Sequence, residues 1–260
     1  MRNEQKIVIV LPAYNASKTL MRTLAEIPAE YKENIILVDD ASTDNTVEVA
    51  EQAGLHVFRH PKNRGYGGNQ KTCYQEALNM GADIMVMLHP DHQYDATMIP
   101  ALVNPLLDQR ADAVFGSRML GGHPLEGGMP FWKYFANVLL TATANIVFKR
   151  YLTEIHSGFR AYTRKYIETV QIESNSDDFI FDTEIIAQGM ANKLTFQEVP
   201  IVTRYFPEAS SINFKRSTVY GFGILWVLFK YWLHHAGIVK FKQFLPNSFQ
   251  SQDEVIPQSE

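Results

Sequence analysis

The chain has 260 residues, 46% apolar and 20% charged, the composition of a folded globular protein and too long for a minimal binding module. Its net charge of −4 argues against non-specific gripping of a polyanion, so no nucleic-acid partner is expected. Cys73 is the single cysteine, which excludes an intrachain disulfide and a thiolate metal cluster and fits a reducing, cytoplasmic setting.

Residues 6–11 read as a buried strand; this apolar run is too short for a signal peptide and is cut by Pro12. Pro12-Ala13-Tyr14-Asn15 is a turn, and Asn15 or Ser17 can cap a helix running to about Glu26. A second strand, 34–38, ends at the paired carboxylates Asp39-Asp40, and Ser42-Thr43-Asp44 cap a helix over 46–53. A short third strand at 55–58 leads to a glycine-rich loop at 63–68 and a helix over 69–80. The fourth strand, 83–88, is apolar enough to be buried on both faces. Pro90 forbids its continuation, so the chain turns where Asp91 stands. A helix over 98–109 and a fifth strand at 113–117 follow.

Strands alternating with helices predict βαβ units, hence an α/β fold with a mostly parallel, Rossmann-like sheet and helices on both faces. Parallel strands share a direction, so Tyr14-Asn15, Asp39-Asp40 and His89-Pro90-Asp91 should meet on one sheet edge, where open α/β sheets bind ligands. A carboxylate with a neighbouring imidazole there can hold a hard divalent cation against a phosphate-bearing substrate. The plainer alternatives are that Asp91 begins a β-turn or caps the helix near Thr97, and that Asp39-Asp40 is a solvated turn.

After Ser117 the pattern loosens. Gly121-Gly122 and Gly127-Gly128 flank a loop, 131–148 is a long apolar helix, and 153–162 is irregular to extended. A helix at 179–190, a strand at 194–199 ended by Pro200, and a polar, basic loop at 203–216 follow. Residues 219–239 are mostly apolar and aromatic but carry Lys230, His234, His235 and three glycines. A spanning helix needs about 20 residues with few charges. The segment therefore reads as an interfacial, partner-packed or core-packed helix. The expected division is a catalytic domain at 1–217, this apolar helix within 218–242, contacting a membrane surface or a second copy of the chain, and a disordered tail at 243–260.

Six motifs recur in a telling order: Pro12-Ala13-Tyr14-Asn15, Val38-Asp39-Asp40-Ala41-Ser42-Thr43-Asp44-Asn45-Thr46, Asn63-Arg64-Gly65-Tyr66-Gly67, Pro90-Asp91-His92-Gln93, Gly116-Ser117-Arg118 and Ser157-Gly158-Phe159-Arg160-Ala161-Tyr162. On these residues, over about 6–223, the chain resembles the inverting family 2 glycosyltransferases with a GT-A fold. Within them it is most similar to the dolichyl- and polyprenyl-phosphate sugar synthases. The resemblance implies transfer of a hexose from a nucleotide-diphosphate sugar, helped by Mn2+ or Mg2+, to a polyprenyl or dolichyl phosphate. It places the enzyme as a peripheral protein on the cytoplasmic face of the membrane. Pro12, Ala13, Tyr14, Asn15, Asp39 and Asp40 would hold the donor's base and ribose, and Gly65 and Gly67 would let backbone approach its phosphates.

The family's metal motif is two Asp separated by one residue, and here the first is His89 and the second Asp91. Asp91 is the expected metal ligand. His89 is either a second ligand, which would favour Mn2+, or a structural side chain. Arg118 suits a phosphate or sugar, and a surface salt bridge is the alternative. Asp182 is the expected carboxylate base for a hydroxyl acceptor, unless it only stabilises a helix start. A lipid phosphate needs no base but needs cations, for which Arg160, Arg204 and Lys215 are the candidates. A hydroxyl acceptor on a glycan or lipid, and an inactive nucleotide-sugar-binding module, are the competing readings.

Overall fold

The computed structural model describes residues 5–121, 124–204 and 214–247, with the side chains of 214–216 excepted. Seven strands make one sheet: β1 (Ile7–Ala13), β2 (Ile35–Asp39), β3 (His56–Arg59), β4 (Ile84–Met87), β5 (Ala113–Ser117), β6 (Arg160–Thr163) and β7 (Phe196–Pro200). Their order is β3-β2-β1-β4-β6-β5-β7. Only β6 runs antiparallel to its neighbours. The helices are α1 (Leu20–Glu26), α2 (Thr46–Gln52), α3 (Gly65–Asn79), α4 (Ile99–Leu107), α5 (Phe131–Phe148), α6 (Arg164–Thr169), α7 (Phe181–Ala191) and α8 (Phe214–His235).

The sheet is covered on both faces, and the alternation along each strand says which side chain goes where. Val8, Val10, Ile36, Val38, Met85 and Met87 join one apolar cluster with residues of α3, α5, α7 and α8. Their neighbours Ile9, Leu11, Ile35, Leu37, Ile84 and Val86 join a second cluster with α1, α2 and α4. The near-continuous apolar run of β4 follows from this, because both of its faces are dry.

Because β4 and β5 each pair antiparallel with β6, they point the same way. The carboxyl ends of β1, β2, β4 and β5 therefore share an edge with the amino end of β6. The segment expected to be irregular to extended at 153–162 thus ends in the antiparallel strand that places Ser157 and Gly158 on that edge. A non-glycine residue with positive φ follows three of these strands: Asn15 (52°), Ala41 (60°) and His92 (61°). Such strain gathers where a ligand site fixes the backbone.

Helix α3 begins at Gly65, inside the segment read as a loop, and the helix expected from 219 starts at Phe214, so the 217/218 boundary falls within α8. Ile224, Val227, Leu228 and Tyr231 of α8 enter the same cluster as the sheet residues, and Tyr231 packs edge-on against Phe148 at 4.9 Å. The helix is thus half core and half surface. Phe244, placed in the expected disordered tail, is 2% exposed on this cluster. The rest of that tail, 248–260, lies outside the described residues.

Candidate active site

The turns after β1 and β2 are tied to each other before any ligand is considered. Ser42 Oγ accepts the Asn15 N–H (2.8 Å), Asn15 Oδ1 accepts the Thr43 N–H (2.9 Å), and Thr46 Oγ1 accepts the Ala16 N–H (2.8 Å). Tyr14 is left 55% exposed at the mouth of a cavity of about 970 Å3 that runs along the sheet edge. Pro12, Ala13, Tyr14, Asn15, Asp40 and Gly65 line it on the β1–β2 side, His89, Asp91 and Gln93 after β4, and Arg118 after β5. Strand order therefore places Asp91 between the Asp40 side and the Arg118 side.

Asp40 acts on the backbone. Its carboxylate accepts the N–H groups of Arg64 (2.7 Å) and Gly65 (3.0 Å) and pairs with His60 Nδ1 (2.8 Å). The N–H groups of Gly67 and Gly68 donate to the Asp177 carbonyl at 2.8 and 3.2 Å. These helix-start donors were expected to meet donor phosphates, and in the structure they are spent inside the protein. The glycines have a different cause. A Cβ on Gly65 would stand 2.7 Å from the Asp177 carbonyl oxygen, and one on Gly67 would stand 2.8 Å from Phe181 Cβ. They let α3 press against the segment before α7.

Asp182, at the start of α7, lines the cavity but is enclosed by donors. Tyr66 Oη donates to Oδ2 (2.9 Å), Gln70 Nε2 donates to Oδ1 (3.2 Å), and Arg160 Nη1 lies 3.3 Å from Oδ1. Arg160 is 2% exposed and also donates to the carbonyls of Ile155 and Ser157. It stands outside the cavity wall, as the buried partner of Asp182. Tyr66 also meets His89, Oη to Nε2 at 3.3 Å, with the rings stacked at 5.4 Å. Burial holds His89 below its ordinary value, with Asp91 opposing in part, so the imidazole is neutral at pH 7.

At the β5 end, Glu154 accepts the backbone N–H (2.7 Å) and Nε (2.8 Å) of Arg118 and Nδ2 of Asn137 (2.7 Å). Burial pushes the Glu154 carboxyl up, but the charge and hydrogen bonds of Arg118 together with the Asn137 hydrogen bond leave the net shift downward. Lys133, in the first turn of α5, lines the cavity beside this pair. Burial and then Arg118 pull its ammonium below the usual lysine range.

Besides Arg160, three expected residues sit elsewhere. Asp39 is fully buried behind the wall; one oxygen accepts the Ser42 N–H (3.0 Å) and the other has no partner. Gly67 is buried under the 176–181 segment. Arg204 Nη1 donates to both oxygens of Glu26 (2.9 Å each), so its charge is matched outside the cavity wall. The Lys215 side chain lies outside the described residues.

A sequence model of the family described as Glycosyl transferase family 2 matches residues 8–171, which hold the tied turns after β1 and β2, the β4 turn, Arg118, Lys133 and Glu154. The chain belongs to glycosyl transferase family 2. The uncharacterized protein MJ1222 of Methanocaldococcus jannaschii is 31% identical over 87% of this chain and 92% of its own length. The UDP-N-acetylglucosamine–dolichyl-phosphate N-acetylglucosaminyltransferase of Methanococcus voltae is 26% identical over 78% of this chain and 87% of its own. The solved glucosyl-3-phosphoglycerate synthase of Mycobacterium tuberculosis shares the fold, with a TM-score of 0.66 at 18% identity over 88% of this chain and 80% of that one.

As a family 2 glycosyltransferase, the chain places in its site several groups that its motifs do not announce. Lys133 lies in the helix read as apolar, and the i+4 series Lys133, Asn137, Thr141 and Asn145 is the polar stripe that could have marked it. Glu154 carries no local signal, and Tyr66 only its place in the glycine-rich motif, because their partners are 36 and 116 residues away. Among the described residues, no cluster of three or more His, Cys, Asp or Glu could hold a metal unaided. Asp91 therefore fits a cation only as one ligand beside substrate phosphate oxygens.

Proposed function

We propose that the chain moves a hexose from a nucleoside-diphosphate sugar to a polyprenyl phosphate at a membrane surface. The observation that carries this reading is the positive charge that Lys133 adds beside the Arg118–Glu154 pair, in the wall of the cavity that also holds Asp91. A phosphate nucleophile is already ionised and must approach a diphosphate, so it needs positive charge more than it needs a base. Asp182, the base a hydroxyl acceptor would require, is already the counter-charge of Arg160. Placing a proton on it would leave a buried guanidinium uncompensated.

The donor's base and ribose are assigned to the Tyr14–Asn15 and Asp40 side of the cavity, with Asp39 buried behind it. The diphosphate then falls at Asp91, the next strand end but one. Asp91 would hold Mn2+ or Mg2+ against it, and that ion would offset charge on the leaving diphosphate. The mycobacterial synthase of similar fold was solved with Mn2+ and UDP-glucose, and the Methanococcus relative is named for a dolichyl-phosphate acceptor; both support this reading.

Helix α5, which carries Lys133, also exposes Phe131, Phe135 and Leu139, and α8 exposes Phe222, Trp226 and Trp232. No helix among the described residues is long and apolar enough to cross a membrane. The two helices suit lying on one, which would hold the protein peripherally on the cytoplasmic face. The test is a comparison of polyprenyl phosphate with the matching polyprenol as acceptors. Product from the phosphate alone supports the reading; product from the alcohol moves the chemistry to a hydroxyl acceptor.

A further inference from the structure

We propose that Tyr66 is a positioning residue that, through Asp182, ties the β4 turn to the start of α7 across the cavity, and that His89, standing where a metal carboxylate was expected, orients Tyr66 instead of ligating the metal. The proposal rests on the transferase reading above. Donor accounting gives the hydrogen-bond direction. A carboxylate only accepts, so the Tyr66 hydroxyl proton goes to Asp182 Oδ2 at 2.9 Å. The hydroxyl oxygen is then the acceptor for His89, whose Nε2 at 3.3 Å must carry the hydrogen. Nε2 so engaged is not available to a cation, and the lone pair left on Nδ1 is what the Mn2+ measurement below tests.

Packing fixes the same arrangement. The Tyr66 ring lies between His89, stacked at 5.4 Å, and Phe179, at 4.7 Å. Gly158 closes the corner: a Cβ there would stand 2.6 Å from His89 Nε2 and 3.3 Å from Tyr66 Oη. His89 thus cannot turn Nε2 away without opening a gap that its neighbours fill. The linkage His89–Tyr66–Asp182–Arg160 joins the β4 turn that bears Asp91 to the start of α7, both of which line the cavity.

The experiment uses the full chain and four variants: Tyr66→Phe, His89→Asn, His89→Gln and the Tyr66→Phe/His89→Asn double. The amide nitrogen of Gln can take the place of Nε2, whereas that of Asn falls near Nδ1. Steady-state rates are read with varied donor, and Mn2+ affinity is read separately, in the presence of UDP and of GDP, from the free-Mn2+ paramagnetic resonance signal. Tyr66→Phe and His89→Asn should each lower kcat about tenfold with donor KM little changed. The double variant should be no worse than either single change. His89→Gln should restore most of the rate, and Mn2+ affinity should be equal in all four. Overturning results are an unaltered kcat in Tyr66→Phe, additive losses in the double variant, or a tenfold weaker Mn2+ affinity in both His89 variants. A wild-type protein that moves no sugar to lipid phosphate would overturn the acceptor reading, and the Mn2+ arm would still decide His89.

Discussion

Glu154 receives Arg118 through its backbone N–H at 2.7 Å, through Nε at 2.8 Å and through Nη2, so one buried carboxylate both ends β5 and fixes the guanidinium at the cavity wall. Replacing it with Gln keeps the shape and removes the counter-charge. Breaking a buried ion pair from one side costs about 3 kcal/mol or more. Glu154→Gln is expected to lower the unfolding free energy by that much at neutral pH, read as a lower urea midpoint with the slope unchanged. Wild-type stability at neutral pH in the variant would mean that Arg118 does not depend on this carboxylate.

His156 gives the fold a pH dependence of definite sign. Burial lowers it from 6.5 to about 4, with Glu154 opposing and Arg118 adding. Between those values the unfolded chain takes up a proton that the folded chain refuses, so stability falls as pH drops from about 6.5 to about 4. Above 6.5 the residue contributes no slope. Thermal midpoints recorded over this range should fall less steeply for His156→Gln than for the wild type, and parallel curves would contradict the assignment.

The fold was legible because each sheet strand states its burial in its own residues. Met85 and Met87 face one cluster and Ile84 and Val86 the other, so a run with no polar alternation could only be a two-sided strand. Asp91 was legible because a proline ended such a strand in front of it. The role of the glycine-rich segment was not. Gly65 and Gly67 look like a phosphate loop until Asp177 and Phe181, more than a hundred residues later, are seen filling the space. Arg160 and Asp182 were assigned to different substrates for the same reason: each is the other's partner, and only the tertiary structure brings them together.

Lys133 should matter to one substrate and not to the other. Loss of one charge-assisted contact is worth about 1.5 kcal/mol or more, or roughly tenfold in affinity. Lys133→Ala is expected to raise the KM for polyprenyl phosphate by about that factor, with donor KM within about twofold. A rise confined to donor KM would place the cation on the diphosphate instead.

The exposed side of α8 carries an aromatic ladder, Trp226 to Phe229 at 5.8 Å and Phe229 to Trp232 at 6.1 Å. Indole rings favour the boundary between lipid tails and water. Changing Trp226 and Trp232 together to Ser should reduce co-sedimentation with anionic phospholipid vesicles by at least about tenfold while leaving the thermal midpoint in place. Unchanged vesicle binding, with loss of a dimer peak on size-exclusion chromatography, would assign this face to a second copy of the chain.

The most direct measurement is transfer of radiolabelled sugar by the wild type and Asp91→Ala, with Mn2+ or Mg2+, a set of UDP- and GDP-sugars, and polyprenyl phosphate. The account predicts label in the organic phase with a particular donor for the wild type and none for Asp91→Ala. Label that stays in water while donor is bound or hydrolysed, or transfer that survives loss of Asp91, would contradict it.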